Sequence, residues 1–269
     1  MSWLTERKML GRTGLLAGRL GLGSSYFAPE EAFLDAYDAG CNLFYWGALR
    51  TPSMTRAMRT IIARGERDGI IVMVQVYVRP GGLDWSLTRG LKRLGIEAAD
   101  ILLLGWRNNT PDRRTLDQAE GLWEKGAFRY LGISGHQRPL FASLGEDRRF
   151  DIFMVRYNAA NRGAEEDIFP HLPADRPGMV GFTATRWGQL MKSKKIPPEE
   201  KRPKAGDCYR FVLCHPSMDV VITAPSNSAQ MRENLQEVSK GPMSAEEQAW
   251  MCRIGDYVYG RPPGGPLRR

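Results

Sequence analysis

Eight short apolar runs, rich in β-branched residues, alternate with amphipathic stretches from one end of the chain to the other. They cover residues 19–24, 41–46, 70–78, 100–106, 128–134, 151–158, 178–183 and 218–223. Runs this short and this apolar read as strands covered on both faces, the pattern of a parallel sheet wrapped by helices. The stretches between them read as helices. Residues 29–39 open on proline, carry acids in the first turn and stop at Gly40. Residues 52–67 place Met54, Met58, Ile61 and Ile62 at helical spacing, and residues 111–125 do the same with Leu116, Ala119 and Trp123. Further helices are expected over 86–94, 137–144, 165–172, 229–238 and 245–258, with Ser228 as the cap of the helix after the eighth run.

Eight βα units in 269 residues predict an α/β chain folded as a closed (β/α)8 TIM barrel. The rival, an open doubly wound sheet, calls for a glycine-rich phosphate turn after the first strand. Gly21-Leu22-Gly23 supplies a GxG with no third glycine in place. In a barrel the chemistry belongs at the C-terminal ends of the strands, which here are the segments 45–50, 75–79, 105–108, 134–136, 154–158, 182–186 and 223–227. A single domain over 1–260 is expected, followed by a disordered basic tail, 261–269.

The formal charge of +8 raises the question of an anionic partner. The basic residues are scattered, however, and concentrate only in 192–204 and in the tail, without interleaved aromatics or a recognition helix, so nucleic acid is not expected. The most apolar segment, 69–78, is half the length of a membrane span and contains Gln75, so no membrane association is expected. Charges in the first ten residues argue against a signal peptide, which makes the cytoplasm the expected address. Cys41, Cys208, Cys214 and Cys252 form no CxxC pair and no cluster with the three histidines; reduced thiols are expected, with no metal and no iron-sulfur cluster.

Several segments resemble, in order and spacing, those of one family. They are Leu10-Gly11-Arg12-Thr13-Gly14-Leu15 running on to Leu20-Gly21-Leu22-Gly23-Ser24, then Asp38-Ala39-Gly40-Cys41-Asn42-Leu43-Phe44, and residues 91–94 followed by 99–104. GLWEKGAFRYLGIS at 121–134, Arg156-Tyr157-Asn158 with Asn161-Arg162, and residues 219–222 with Gln230, Glu233 and Asn234 complete the set. Over about residues 8–258 the chain resembles the aldo-keto reductases. The resemblance implies an N-terminal β-hairpin plugging the barrel floor and a nicotinamide cofactor whose hydride reduces a carbonyl. It also implies a proton supplied by a tyrosine, with a lysine, an aspartate and a histidine in support, a contribution of roughly 10²–10⁴-fold in rate.

Carried over by position, all four of those residues differ here. Tyr45 stands for the aspartate, Arg50 for the tyrosine, Gln75 for the lysine and Gly105 for the histidine. Gln75 has no charge to lower a phenol pKa, Arg50 does not give up its proton and Gly105 has no side chain. Tyr45 itself, Tyr77 on the same strand face as Gln75, and His136 after the fifth strand are candidate substitutes. Each has a plainer reading, the tyrosines as filling of the barrel mouth and His136 as a loop residue.

On the cofactor side the resemblance assigns Ser134 to the carboxamide and Phe182 to stacking on the nicotinamide. It places Thr183 and Arg186 at the pyrophosphate loop, and Gln230, Glu233 and Asn234 at the adenosine. Met154 and Gly135 replace two carboxamide-binding side chains. NADP(H) or NAD(H) is therefore the implied cofactor, with a small-molecule ligand at the C-terminal mouth. Two functions follow: a divergent NAD(P)-linked oxidoreductase with non-standard or reduced carbonyl-reducing activity, or a non-catalytic pseudoenzyme that binds a nucleotide cofactor or a protein partner as sensor or scaffold. An isomerase or lyase built at the same mouth is a third.

Overall fold

The computed structural model describes residues 2–47, 51–76 and 82–267. Strands β1 (Arg7–Met9) and β2 (Leu16–Gly18) form an antiparallel hairpin. The remaining strands are β3 (Leu20–Gly23), β4 (Leu43–Trp46), β5 (Ile71–Val76), β6 (Ala99–Leu104), β7 (Phe128–Gly135), β8 (Ile152–Arg156), β9 (Gly178–Phe182) and β10 (Val220–Thr223). They pair in parallel in sequence order, and β10 closes on β3, which is the (β/α)8 barrel expected. Every residue of β5 and β6 is buried, because the inner face meets the barrel core and the outer face meets helices.

The helices are α1 (Glu30–Asp38), α2 (Pro52–Ala63), α3 (Leu83–Leu94), α4 (Arg113–Glu124), α5 (Arg138–Ser143), α6 (Ala164–Asp167), α7 (Gln189–Lys192), α8 (Ala205–Cys214), α9 (Ser228–Val238) and α10 (Ala245–Tyr259). None of them is long and apolar enough to cross a membrane. Two cores result. Leu43, Ile71, Met73, Ile101, Leu103 and Val180 pack inside the barrel, and a larger outer cluster joins the strands to the helices.

The hairpin forms the floor. Leu10 and Ala17 reach into the inner core, Tyr130 of β7 donates its hydroxyl proton to the Thr13 carbonyl, and Gly11 lies so close to β9 that a Cβ would meet Gly178 N at 2.1 Å. Only glycine fits there, with φ of +51°. Three aspartates lock the same end. Asp100 accepts from Val72 N, Asp151 from Leu131 N and Asp219 from Met179 N, and Asp219 also takes two bonds of 2.7 Å from Arg176. This face is therefore devoted to stability.

Four expectations need correction. The cap of α9 is Asn227, whose side chain accepts from Gln230 N, and Ser228 is the first helical residue. Residues 165–172 are not one helix: the backbone leaves helical geometry at Ile168 and resumes as a 3-10 turn, Phe169–His171, because Pro170 has no N–H to continue the ladder. The connection from β9 to β10 contains two helices, α7 and α8, that the sequence did not reveal. The first residues of the tail are anchored, since Arg261 is buried against Asp256 at 2.6 Å and Gly264 N donates to the same carboxylate.

Candidate functional site

Alternation along each strand decides what faces the mouth. Tyr45, Gln75, Ser134, Met154 and Phe182 lie on the inward rows at or near their strand ends, and Gly105 follows β6 directly. Of the four proton-relay positions, Arg50 lies outside the described residues, as does Tyr77. The other three meet. The Tyr45 hydroxyl donates to Gln75 Oε1, and the Gln75 amide lies over Gly105 so closely that a Cβ there would stand 2.3 Å from Nε2 and 2.8 Å from Cδ. The amide thus fills the space that a side chain at position 105 would need. Gln75 is only 2% exposed, yet its Nε2 has no hydrogen-bond partner among the described residues.

That orphan belongs to a pattern. Of the six buried side-chain polar atoms without a partner among the described residues, four lie at or just beyond strand ends at the mouth: Gln75 Nε2, Arg107 Nε and Nη2, and Thr183 Oγ1. Folded proteins pair nearly all such groups, so a concentration of unused donors marks a surface fitted to a polar ligand. The backbone is also constrained here. Trp106, Thr183, Arg186 and Trp187 have φ between +49° and +55°, a region that bulky and β-branched residues seldom adopt.

His136 extends the inward row of β7. Its ring centre lies 5.6 Å from that of Phe182, and its backbone N–H donates to Asn108 Oδ1. Burial, and then the charge of Arg156, hold its imidazole below the ordinary histidine range. Arg156 ends β8 on the inward row, in register with Phe182. Burial together with Arg138 and Arg186 disfavours its charge. Neither Arg156 nor Arg107 was singled out from the sequence as a site residue, although the two-residue step from Met154 to Arg156 was a readable signal.

The residues assigned to a cofactor divide into two groups. Ser134 is buried and its hydroxyl accepts from Trp106 N at 3.3 Å. Arg186 donates to the Val258 carbonyl at 2.9 Å and lies over the Tyr259 ring. Both stand at the mouth with Phe182. On α9, Gln230 braces the preceding loop by accepting from Ser226 N, and Glu233 pairs with Lys204 at 3.0 Å. Asn234 is turned inward, donating to Thr223 Oγ1, which in turn donates to the Tyr209 hydroxyl. No group of three metal-ligating side chains occurs among the described residues.

A cavity of about 450 Å³ lies elsewhere, on the flank between α4 and β7, lined by Leu116, Trp123, Phe128, Leu131, Arg149 and Asp151. Asp151 is already spent on Leu131 N, and the cavity lies away from the orphan donors of the mouth.

The barrel with its plugged floor has counterparts among known proteins. The structure of the aldo-keto reductase AKR11C1 from Bacillus halodurans superposes with a TM-score of 0.76 at 20% identity, covering 93% of this chain and 96% of that one. A thermostable aldo-keto reductase, Tm1743, solved with the inhibitor epalrestat, gives 0.72 at 22% identity over 92% and 99%. In sequence, an aldo-keto reductase of Pseudocercospora fijiensis is 24% identical over 221 residues, 61% of this chain and 75% of the relative. The model of the aldo/keto reductase family matches residues 30–207, which include the positions of Tyr45, Gln75, Gly105, Ser134 and Phe182. Fold, floor hairpin and family pattern therefore agree, and the chain belongs to the aldo/keto reductase family.

Proposed function

We propose that the chain is an oxidoreductase linked to NADP(H) or NAD(H) whose carbonyl-reducing activity is reduced because, among the described residues, no side chain of the mouth is set to deliver a proton. The carrying observation is the Tyr45–Gln75–Gly105 arrangement: the phenol proton is directed at Gln75 Oε1, and no imidazole stands at position 105. What remains is the Gln75 Nε2 donor, buried and without a partner among the described residues, which can polarise a carbonyl oxygen without protonating it. Tyr45 acts on this donor as a positioning residue by fixing the amide's orientation.

The mouth fits a dinucleotide in part. Phe182 offers a ring for stacking, Ser134 a hydroxyl, and the left-handed loop carrying Thr183 and Arg186 an unpartnered hydroxyl and a guanidinium suited to phosphate. A bound nicotinamide supplies the hydride. The chain's residues orient the two reactants, and with the side-chain acid lost the proton comes from water, at a cost of roughly 10²–10⁴-fold in rate.

The test is a titration with NADPH and then NADH, followed by protein tryptophan fluorescence. Trp187, exposed on the loop beside Arg186, is the natural reporter. Saturable quenching with slow turnover of aldehydes or ketones supports the reading, and no quenching by either nucleotide at millimolar concentration removes it. A second reading, a nucleotide-binding sensor without catalysis, is favoured by one observation: the His136 ring already packs on Phe182, the ring that would stack on nicotinamide. Quenching with no turnover across a broad panel of carbonyls selects that reading.

A further inference from the structure

The mouth carries positive charge that its own carboxylates do not neutralise. Arg138 is compensated by Asp167, with Nε 2.7 Å from Oδ2. Arg261 is likewise compensated by Asp256. Among the described residues Arg186 is bound by a carbonyl and a ring face, with no carboxylate. Arg156, half-buried and flanked by Arg138, Arg186 and His136, has no hydrogen-bonding or ionic partner among the described residues. A partly desolvated guanidinium among like charges is costly, and the planar fork is shaped for two parallel bonds to an oxyanion.

We propose that Arg156 is the docking point for a compact oxyanion, a carboxylate or phosphate carried by the ligand, beside the rings of Phe182 and His136. Phe182 is its registered neighbour on β9, so an anion held there lies against an aromatic face at the strand ends. The proposal rests on the oxidoreductase reading only for the carrier of the oxyanion, which is either an acidic carbonyl substrate or the phosphates of the dinucleotide.

The experiment uses the full chain without nucleotide. The His136 imidazole is followed by NMR while sodium phosphate, and in a second series a short 2-oxo acid, replaces chloride at constant ionic strength. His171 and His215 serve as internal controls. Saturable binding is expected, with the His136 pKa rising as the charge of Arg156 is neutralised. Arg156→Gln weakens the affinity about ten- to hundredfold and raises the His136 pKa even without added anion, while Arg156→Lys keeps part of the binding. NADPH titrations of the same three proteins assign the carrier: a loss confined to the oxo acid points to substrate, and one confined to NADPH points to the dinucleotide. Equal affinities in wild type and the Gln variant for phosphate, oxo acid and NADPH alike overturn the proposal. Failure of the oxidoreductase reading has its own signature, absent NADPH quenching in the wild type, because the phosphate series contains no nucleotide.

Discussion

Gly105→Ala is the substitution whose cost the geometry sets most directly. Gly105 has no positive φ, so alanine brings no backbone strain, and the whole effect comes from contact. Its Cβ would stand 2.3 Å from Gln75 Nε2, 2.8 Å from Cδ and 3.0 Å from Cγ. All three atoms must retreat, and the amide cannot turn away while Tyr45 holds Oε1. Overpacking of this kind costs about 1–3 kcal/mol, part of which is the lost hydrogen bond, worth about 0.5–1.5 kcal/mol. For a chain of this size that lowers Tm by about 2–6 °C. Urea unfolding of wild type, Gly105→Ala, Gln75→Ala and the double variant completes a thermodynamic cycle. Removing the amide first should make the alanine nearly free, giving a favourable coupling of at least about 1 kcal/mol. A harmless Gly105→Ala, or a cost that Gln75→Ala does not relieve, refutes the claim that the amide occupies the side-chain space at position 105.

Further outcomes are expected. Restoring lysine at Gln75 and histidine at Gly105 together should not raise carbonyl reduction above the slow wild-type rate, because no phenol stands at position 50; a gain of roughly 10²-fold or more, the scale of a recovered general acid, would contradict this. Burial pushes the Cys41 thiol up to about 12 and the Cys208 thiol higher still, whereas Cys214 and Cys252 are partly exposed. A thiol reagent at pH 8 should therefore react readily with at most two cysteines in the native protein and with all four in denaturant. His215, half-buried against Phe169 and close to Arg176 and Lys8, is held down to about 4, so it stays neutral in the folded protein while the unfolded chain takes up a proton near 6.5. Its contribution to stability is complete above pH 6.5 and is lost as pH falls from there to about 4, so His215→Phe should flatten that part of the urea-midpoint profile. Asp256 anchors both Arg162 and Arg261, and Asp256→Asn should cost about 3–5 kcal/mol in urea unfolding by leaving two buried cations uncompensated.

The barrel was legible because its strands are buried on both faces and announce themselves as unbroken apolar runs, as β5 and β6 do. The same logic explains the miss at α8. Residues 206–213 are all buried, Asp207 and Arg210 included, so that helix has no exposed polar face of the kind that periodicity detects. Asn227 and Ser228 are both competent caps one position apart, and only backbone geometry chooses between them. At the mouth, Tyr45, Gln75 and Gly105 were named by the family resemblance, and they lie at neighbouring strand ends. That the amide of one fills the space left by another depends on contact across two strands, which no spacing encodes. The isolation of Arg156 was hidden for a related reason: whether a cation is compensated depends on where Asp167 and Asp256 end up, and both are spent on other arginines.

The central claim, that the Tyr45 phenol positions the Gln75 amide and does not deliver a proton, is tested most directly by single-turnover oxidation of bound NADPH with an aldehyde, comparing wild type with Tyr45→Phe. With Tyr45 only positioning the Gln75 amide, the two rate constants should agree within about tenfold. A fall of 10²-fold or more, the scale of a lost general acid, would mean that the Tyr45 phenol is the proton donor after all.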